Sequence, residues 1–191
     1  SNEESKPVLT GINFNIVGDV LECNSTDSYR LARKIVKLDK PSEENYNIVI
    51  PSHNIIEFSR ILTDDEEEIE LHIFSNKILF KTGNLKFESR LINGTYPNTS
   101  NLLPEDSYLV ITTSLNAFYV VIDRVSILTS DKEKNIVTLE TSGDTLILRS
   151  SSAEIGRVEE KMPITKNNNE DIKISFSAKY MVEALKSFST E

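Results

Sequence analysis

Leu9-Thr-Gly-Ile-Asn-Phe-Asn-Ile-Val17, then Gly18-Asp19, then Val20-Leu-Glu-Cys23: this stretch decides the fold of the 191-residue chain. An alternating, β-branched run that ends at a Gly-Asp pair and resumes is a strong hairpin signal. The same arrangement returns 125 residues later, where Gly143-Asp144-Thr145-Leu146 lies on Gly18-Asp19-Val20-Leu21. That displacement also carries Ile12 onto Val137, Phe14 onto Leu139, Ser25-Thr26 onto Ser150-Ser151 and Ser52 onto Ser177. One extra residue after the serine then aligns Glu57 with Glu183 and Arg60 with Lys186. Identities are few. The preserved order of strand, turn, strand, strand, cap and helix over roughly forty residues carries the weight.

Working outward, Arg30 to Leu38 and Glu154 to Met162 read as the third strands of the two copies. Asn47 to Ile50 and Ile172 to Phe176 lead into helices, with Ser52 and Ser177 as expected N-caps. Ile55, Ile56, Ser59 and Leu62 recur at helical spacing, as do Tyr180, Met181, Ala184 and Leu185. Between the copies, Glu68 to Phe74, Lys77 to Thr82 and Leu85 to Ile92 are three further strands. Asn93 to Pro104 has little periodicity and reads as an inter-domain linker. Tyr108 to Thr112 is then a strand and Leu115 to Leu128 an amphipathic helix capped by Ser114. The expected organisation is α+β in two domains, residues 1–104 and 105–191. The second copy has a leading strand and helix that the first lacks, and the first has trailing strands that the second lacks. Equal copies would need roughly thirty further residues on each side.

Composition narrows the function classes. Hydrophobic residues make up 38% and charged residues 27%, as in a folded soluble domain. No stretch approaches the ~20 apolar residues of a membrane span, and no basic-then-apolar segment stands at the start. The single cysteine, Cys23, has no internal disulfide partner and reads as a buried, inert thiol, which fits a reducing cytoplasm. The net charge of -9 argues on its face against nucleic acid, although an acidic outer surface can coexist with a basic inner one. His53 and His72 are the only histidines and lack metal-ligand spacing, so no metal and no cofactor is expected. Asp64 to Glu68 reads as a solvated acidic turn, since it lacks the alternating ligands of a calcium loop. Asp27 beside Arg30 has no base, nucleophile or cofactor to join it, and no catalytic centre is expected.

Three groups of residues resemble a known family. Lys6-Pro-Val-Leu-Thr-Gly-Ile-Asn-Phe14, Ser25-Thr-Asp-Ser-Tyr-Arg-Leu-Ala32 and Ile48-Val-Ile-Pro51 look like the middle domain of the bacterial DNA polymerase III β subunits, the sliding clamps. Asn93-Gly-Thr-Tyr-Pro97 with Leu102-Leu-Pro104 is similar to that family's join between middle and last domains. Phe176 to Leu185 is similar to its last-domain helix. The resemblance covers nearly the whole chain, in order. It implies a DNA-clamp fold of repeated domains, antiparallel sheets outside and two helices per complete domain inside. It further implies a bacterial, cytoplasmic, non-catalytic processivity factor whose full-length form is a homodimeric ring around double-stranded DNA.

The resemblance also implies sites. A hydrophobic pocket between middle and last domains would take linear motifs from the DNA polymerase III catalytic subunit, the clamp loader, other polymerases and repair proteins. The matching positions are Leu9, Thr26, Ser28, Tyr29, Arg30, Leu31, Pro97, Asn101 and Leu102, with Ser177 and Tyr180. Tyr29 stands where the family often has His, and Asn101 where it often has Arg. DNA-facing candidates are Lys6, Arg60, Arg124, Lys179 and Lys186, near the starts or faces of the expected helices. Ile127 and Leu128 match an apolar patch of the subunit interface. From the residues alone, a solvated helix face accounts equally for the cations, and ordinary core accounts for Leu9, Leu31 and Leu102. The rival reading of the whole chain is a β-rich structural or adhesive repeat protein with no DNA role.

Overall fold

A computed structural model describes residues 6–62, 68–104, 106–129, 135–152 and 156–188. The expected acidic turn from Asp64 to Glu67, and Glu154 at the expected start of a strand, lie outside the described residues. The chain forms two compact units, Ser1–Leu103 and Pro104–Glu191.

In the first unit, β1 (Gly11–Val17), β2 (Val20–Thr26), β3 (Leu31–Lys37) and β4 (Tyr46–Pro51) make an antiparallel sheet in the order β3-β2-β1-β4. Helix α1 (Ser52–Ile61) leads to a second sheet, β5 (Glu70–Ile73), β6 (Lys77–Thr82) and β7 (Leu85–Arg90). One core joins the three: Phe14, Ile16, Leu21 and Ile50 from the first sheet, Phe58 from α1, and Ile78 and Phe80 from the second. Phe58 is the bridge, with its ring 4.7 Å from Phe80 and 5.2 Å from Phe87 between centroids.

The second unit runs β8 (Ile111–Thr112), α2 (Leu115–Ser126), β9 (Ile136–Ser142), β10 (Thr145–Ser152), β11 (Gly156–Pro163), β12 (Thr165–Lys166), β13 (Lys173–Ser177) and α3 (Ala178–Leu185). Its four-stranded sheet has the order β11-β10-β9-β13, the same tracing as the first unit. Both helices pack on one face of that sheet. Val121, Ile122 and Val125 of α2 and Ala178 and Leu185 of α3 meet Val137, Leu139, Leu146, Leu148 and Met162. Beside it, β12 pairs with β8, and the Lys166 ammonium is held by the Asp171 carboxylate at 2.7 Å and the Glu170 carbonyl at 2.8 Å.

Each hairpin turns on a left-handed glycine, Gly18 at φ 59° and Gly143 at φ 56°. A positive φ at the first of two turn residues matches the twist of the flanking strands, and glycine adopts it without a Cβ clash. Strand register relocates the extra residue of the second copy. Val17 faces Val20 as Ser142 faces Thr145, a displacement of 125 on both sides; Val20 faces Lys37 whereas Thr145 faces Pro163, where the displacement has become 126. The insertion therefore lies between β10 and β11. Gly11 faces Pro51 and Ile136 faces Ser177, so Ser177 is the counterpart of Pro51 and Ala178 of Ser52.

The expected caps divide accordingly. Ser114 does cap α2, accepting from the Ala117 N–H at 3.3 Å. Ser52 is already helical, and its hydroxyl instead donates to the Thr10 carbonyl at 2.6 Å. Ser177 stands at the N-cap of α3 without a side-chain cap bond. The strand expected from Leu9 begins only at Gly11, because Pro7 opens a 3-10 turn over Pro7–Thr10, closed by the Thr10 hydroxyl on the Pro7 carbonyl at 2.7 Å. Helix α2 ends at Ser126, two residues before the expected limit, and the strand expected over Tyr108 to Thr112 reduces to Ile111–Thr112.

Candidate functional site

The β2–β3 connection is a built turn. Asp27 Oδ1 accepts the N–H groups of Tyr29 and Arg30, both at 3.1 Å, and Oδ2 receives Arg30 Nε at 2.9 Å. The Thr26 hydroxyl donates to the Arg30 carbonyl at 2.6 Å and accepts the Ser28 N–H at 3.2 Å. Ser28 takes φ 73°, left-handed backbone that the surrounding bonds hold in place. Burial alone would raise the Asp27 carboxyl, but the two backbone N–H groups and the guanidinium outweigh it and hold the group below its usual range. Asp27 thus organises the turn and presents Tyr29, which is 78% exposed.

Of the expected linker, Asn93 to Pro104, residues 93–102 are anchored to the first unit. Tyr96 and Thr99 are buried, and Tyr96 packs with Leu9 and Val49, each only 3% exposed. The Ile92 N–H donates to the Val49 carbonyl at 2.8 Å, which ties the start of the segment to β4. A Cβ on Gly94, at φ 132°, would stand 2.8 Å from Val8 Cγ1, so only glycine admits this approach. Beyond Tyr96, Pro97 and Asn101 are exposed and Leu102 is 61% exposed on a short 3-10 turn, Ser100–Leu102.

A hydrogen bond joins these two segments: the Thr26 N–H donates to the Tyr96 hydroxyl at 3.0 Å. Of the expected pocket residues, Leu9, Thr26 and Pro97 therefore gather about Tyr96, with Ser28, Tyr29, Arg30 and Leu31 continuing along the turn. Leu9 lies in the core beneath Tyr96, while Tyr29 and Leu102 are the exposed apolar groups. Ser177 and Tyr180 belong to the second unit, half-buried where β13 passes into α3. Tyr96 and Asp27 were not among the expected pocket residues, although Tyr96 stands in the Asn93 to Pro97 run and Asp27 was noted beside Arg30 only to be set aside as catalytic. Their signals were an aromatic between Gly94 and Pro97, and a carboxylate three residues before Arg30.

The candidate cations divide by partner. Arg60, in the last turn of α1, pairs with Glu57 at 2.6 Å; Arg124, in the last turn of α2, reaches Glu160 at 3.0 Å. Lys186, at the C-cap of α3, lies 5.9 Å from the Tyr119 ring centre. Lys179 and Lys186 line a shallow hollow with Asp123 and Glu183. Lys6 is exposed just before the first 3-10 turn, not on a helix. Ile127, at the C-cap of α2, is 72% exposed, and Leu128 beside it is half-buried. Burial first, and then the charge of Glu22, push the Cys23 thiol up to about 11. Among the described residues, no group of three or more His, Cys, Asp or Glu side chains could hold a metal, and no helix is long and apolar enough to cross a membrane.

Comparison with known proteins follows the same two units. Residues 1–98 match the model of the DNA polymerase III beta subunit, central domain, and residues 100–191 that of its C-terminal domain. The chain is 40% identical over 191 residues to the beta sliding clamp of Staphylococcus aureus, and 40% identical over 187 residues to that of Bacillus subtilis strain 168. The crystal structure of the DNA polymerase sliding clamp from Bacillus subtilis superposes with a TM-score of 0.93 at 39% identity, covering 100% of this chain and 50% of that one. The two matches to beta sliding clamps cover 100% and 97% of this chain, and the chain spans about half the length of the curated relatives it matches. Two domain models in consecutive order, and one strand tracing repeated in both units, place the chain in the DNA polymerase III beta subunit family.

Proposed function

We propose that the chain serves a DNA polymerase processivity factor, a sliding clamp that is tethering and non-catalytic. In that role the whole protein, as a homodimeric ring, encircles duplex DNA without reading sequence. It docks the DNA polymerase III catalytic subunit, the clamp loader, other polymerases and repair proteins through short linear motifs. The observation that carries the reading is the repeated unit: in both copies a four-stranded sheet of the same strand order shares its core with helix packed on one face, α1 in the first and α2 and α3 in the second.

Long residence with free sliding excludes strong base contacts, which would arrest motion. A closed ring resolves the conflict, because release requires opening an interface while sliding only exchanges equivalent phosphate contacts. Helix-borne cations suit that task. Arg60 and Arg124 are held in exposed ion pairs of small net value, so a phosphate can replace the carboxylate at little cost. The exposed Ile127, with Leu128, supplies an apolar patch of the kind that a subunit interface covers.

The docking surface of the first unit is the corner around Tyr96. Leu31, Leu102 and Pro97 offer apolar contacts for the few aliphatic or aromatic anchors of an extended peptide, and the polar turn from Thr26 to Arg30 offers backbone groups that fix its register. The test is a fluorescence-polarisation titration with a labelled peptide of the polymerase catalytic subunit's clamp-binding segment. Arg30→Ala combined with Leu31→Ala should weaken binding about tenfold or more with an unchanged circular dichroism spectrum. Unaltered affinity in that folded double variant removes the docking assignment.

A further inference from the structure

We infer that Tyr96 is a positioning residue for peptide capture: its hydroxyl sets the strap carrying Pro97 and Leu102 against the turn carrying Tyr29 to Leu31. This rests on the docking function proposed above. The two rims come from segments 70 residues apart, and each is built internally. The turn is closed by Asp27 and Thr26. The strap is closed by Asn98 Oδ1 accepting the Ser100 N–H at 2.9 Å and by the Leu102 N–H on the Thr99 carbonyl at 3.1 Å. Two rigid rims can still slide relative to each other unless something registers them. The Thr26 N–H bond to Tyr96 Oη makes that connection at the first residue of the turn.

The ring itself is fixed from below. Tyr96 is 7% exposed against Leu9 and Val49, and Gly94 seats the strap too close to Val8 for any Cβ. The phenol oxygen therefore reaches Thr26 from a buried, closely packed ring, of which it is the one hydrogen-bonding atom. Phenylalanine would fill the same apolar volume and keep the strap's hydrophobic anchor while leaving the Thr26 N–H without that acceptor. The substitution thus separates registration of the rims from packing of the core.

The experiment is a double-mutant cycle in the same peptide titration, using Tyr96→Phe, Leu102→Ala and the double variant, with hydrogen exchange of the first unit's core measured for each. Tyr96→Phe should weaken the peptide about fivefold while hydrogen-exchange protection at the buried Ile50 and Ile78 amides of the same unit stays close to that of the parent. With Leu102→Ala already present the same change should cost less than about twofold, because the strap's anchor is gone. A general loss of stability would give equal factors in both backgrounds, and that result overturns the inference. So would undiminished affinity in Tyr96→Phe, no effect of Leu102→Ala by itself, or failure of Tyr96→Phe to fold, which would make the hydroxyl a keystone of the core. The Arg30→Ala, Leu31→Ala variant distinguishes the two levels. If it loses the peptide while Tyr96→Phe does not, only the role of Tyr96 falls; if neither changes affinity, the docking surface itself falls.

Discussion

Replacing Phe58 by alanine should uncouple helix α1 from the two sheets it bridges. The side chain is 5% exposed and sits against the rings of Phe80 and Phe87. A buried phenylalanine removes roughly 150–250 Å² from water, and at about 25 cal/mol per Å² that is about 4–6 kcal/mol before the residual alanine is subtracted. Large-to-small replacements of buried phenylalanine cost about 3–5 kcal/mol, which includes the cavity left behind. Phe58→Leu keeps most of the volume and should lose about 1–2 kcal/mol, much of it the ring pairing. Because the chain has two units, a single global transition is a poor reporter. Hydrogen exchange at the buried Ile50 and Ile78 amides reads the first core, and Val137 and Leu148 of the second serve as internal reference. The expected result is a large loss of protection at Ile50 and Ile78 in Phe58→Ala and little at Val137 and Leu148. Less than about 1 kcal/mol lost at Ile50 would refute the bridge, as would equal losses in both cores.

Two further outcomes follow from the electrostatics. The folded-state carboxyl of Asp27 titrates below its usual range, so its stabilisation is complete above the unfolded value and is lost as pH falls through the folded one. Asp27→Asn should therefore be less stable than the parent by about 1 kcal/mol at pH 7, and urea titrations should show the gap closing as pH falls below the unfolded carboxyl value of about 3.9. A gap that persists in acid would contradict this. Cys23, with its thiol raised to about 11, carries about one thiolate in a thousand molecules at pH 8. Iodoacetamide should alkylate it far more slowly in the native protein than in urea, and native labelling within a few-fold of the unfolded rate would show that the thiol is not shielded.

The corner around Tyr96 illustrates where reading from the chain stops. Tyr29, Arg30 and Leu31 were singled out because their neighbours form a recognisable run; the turn-closing role of Asp27 was not foreseen, because a carboxylate accepting backbone N–H groups leaves no periodic trace. Leu9 and Leu102 are both leucines beside irregular segments. Folding put one at 3% exposure and the other at 61%, a difference set by what packs over each rather than by residue type.

Local rules were enough for the repeat itself. Hairpin turns need a residue that tolerates positive φ, and half-buried strands need alternation, so Gly18, Gly143 and the flanking β-branched residues announced both sheets. Tertiary structure alone decided three things: that the added residue of the second copy lies between β10 and β11, that Ser52 spends its hydroxyl on Thr10, and that the apparent linker is pinned by Tyr96 to Thr26. Each depends on partners distant in sequence, where register and burial are settled by packing and hydrogen-bond satisfaction, which neither spacing nor propensity encodes.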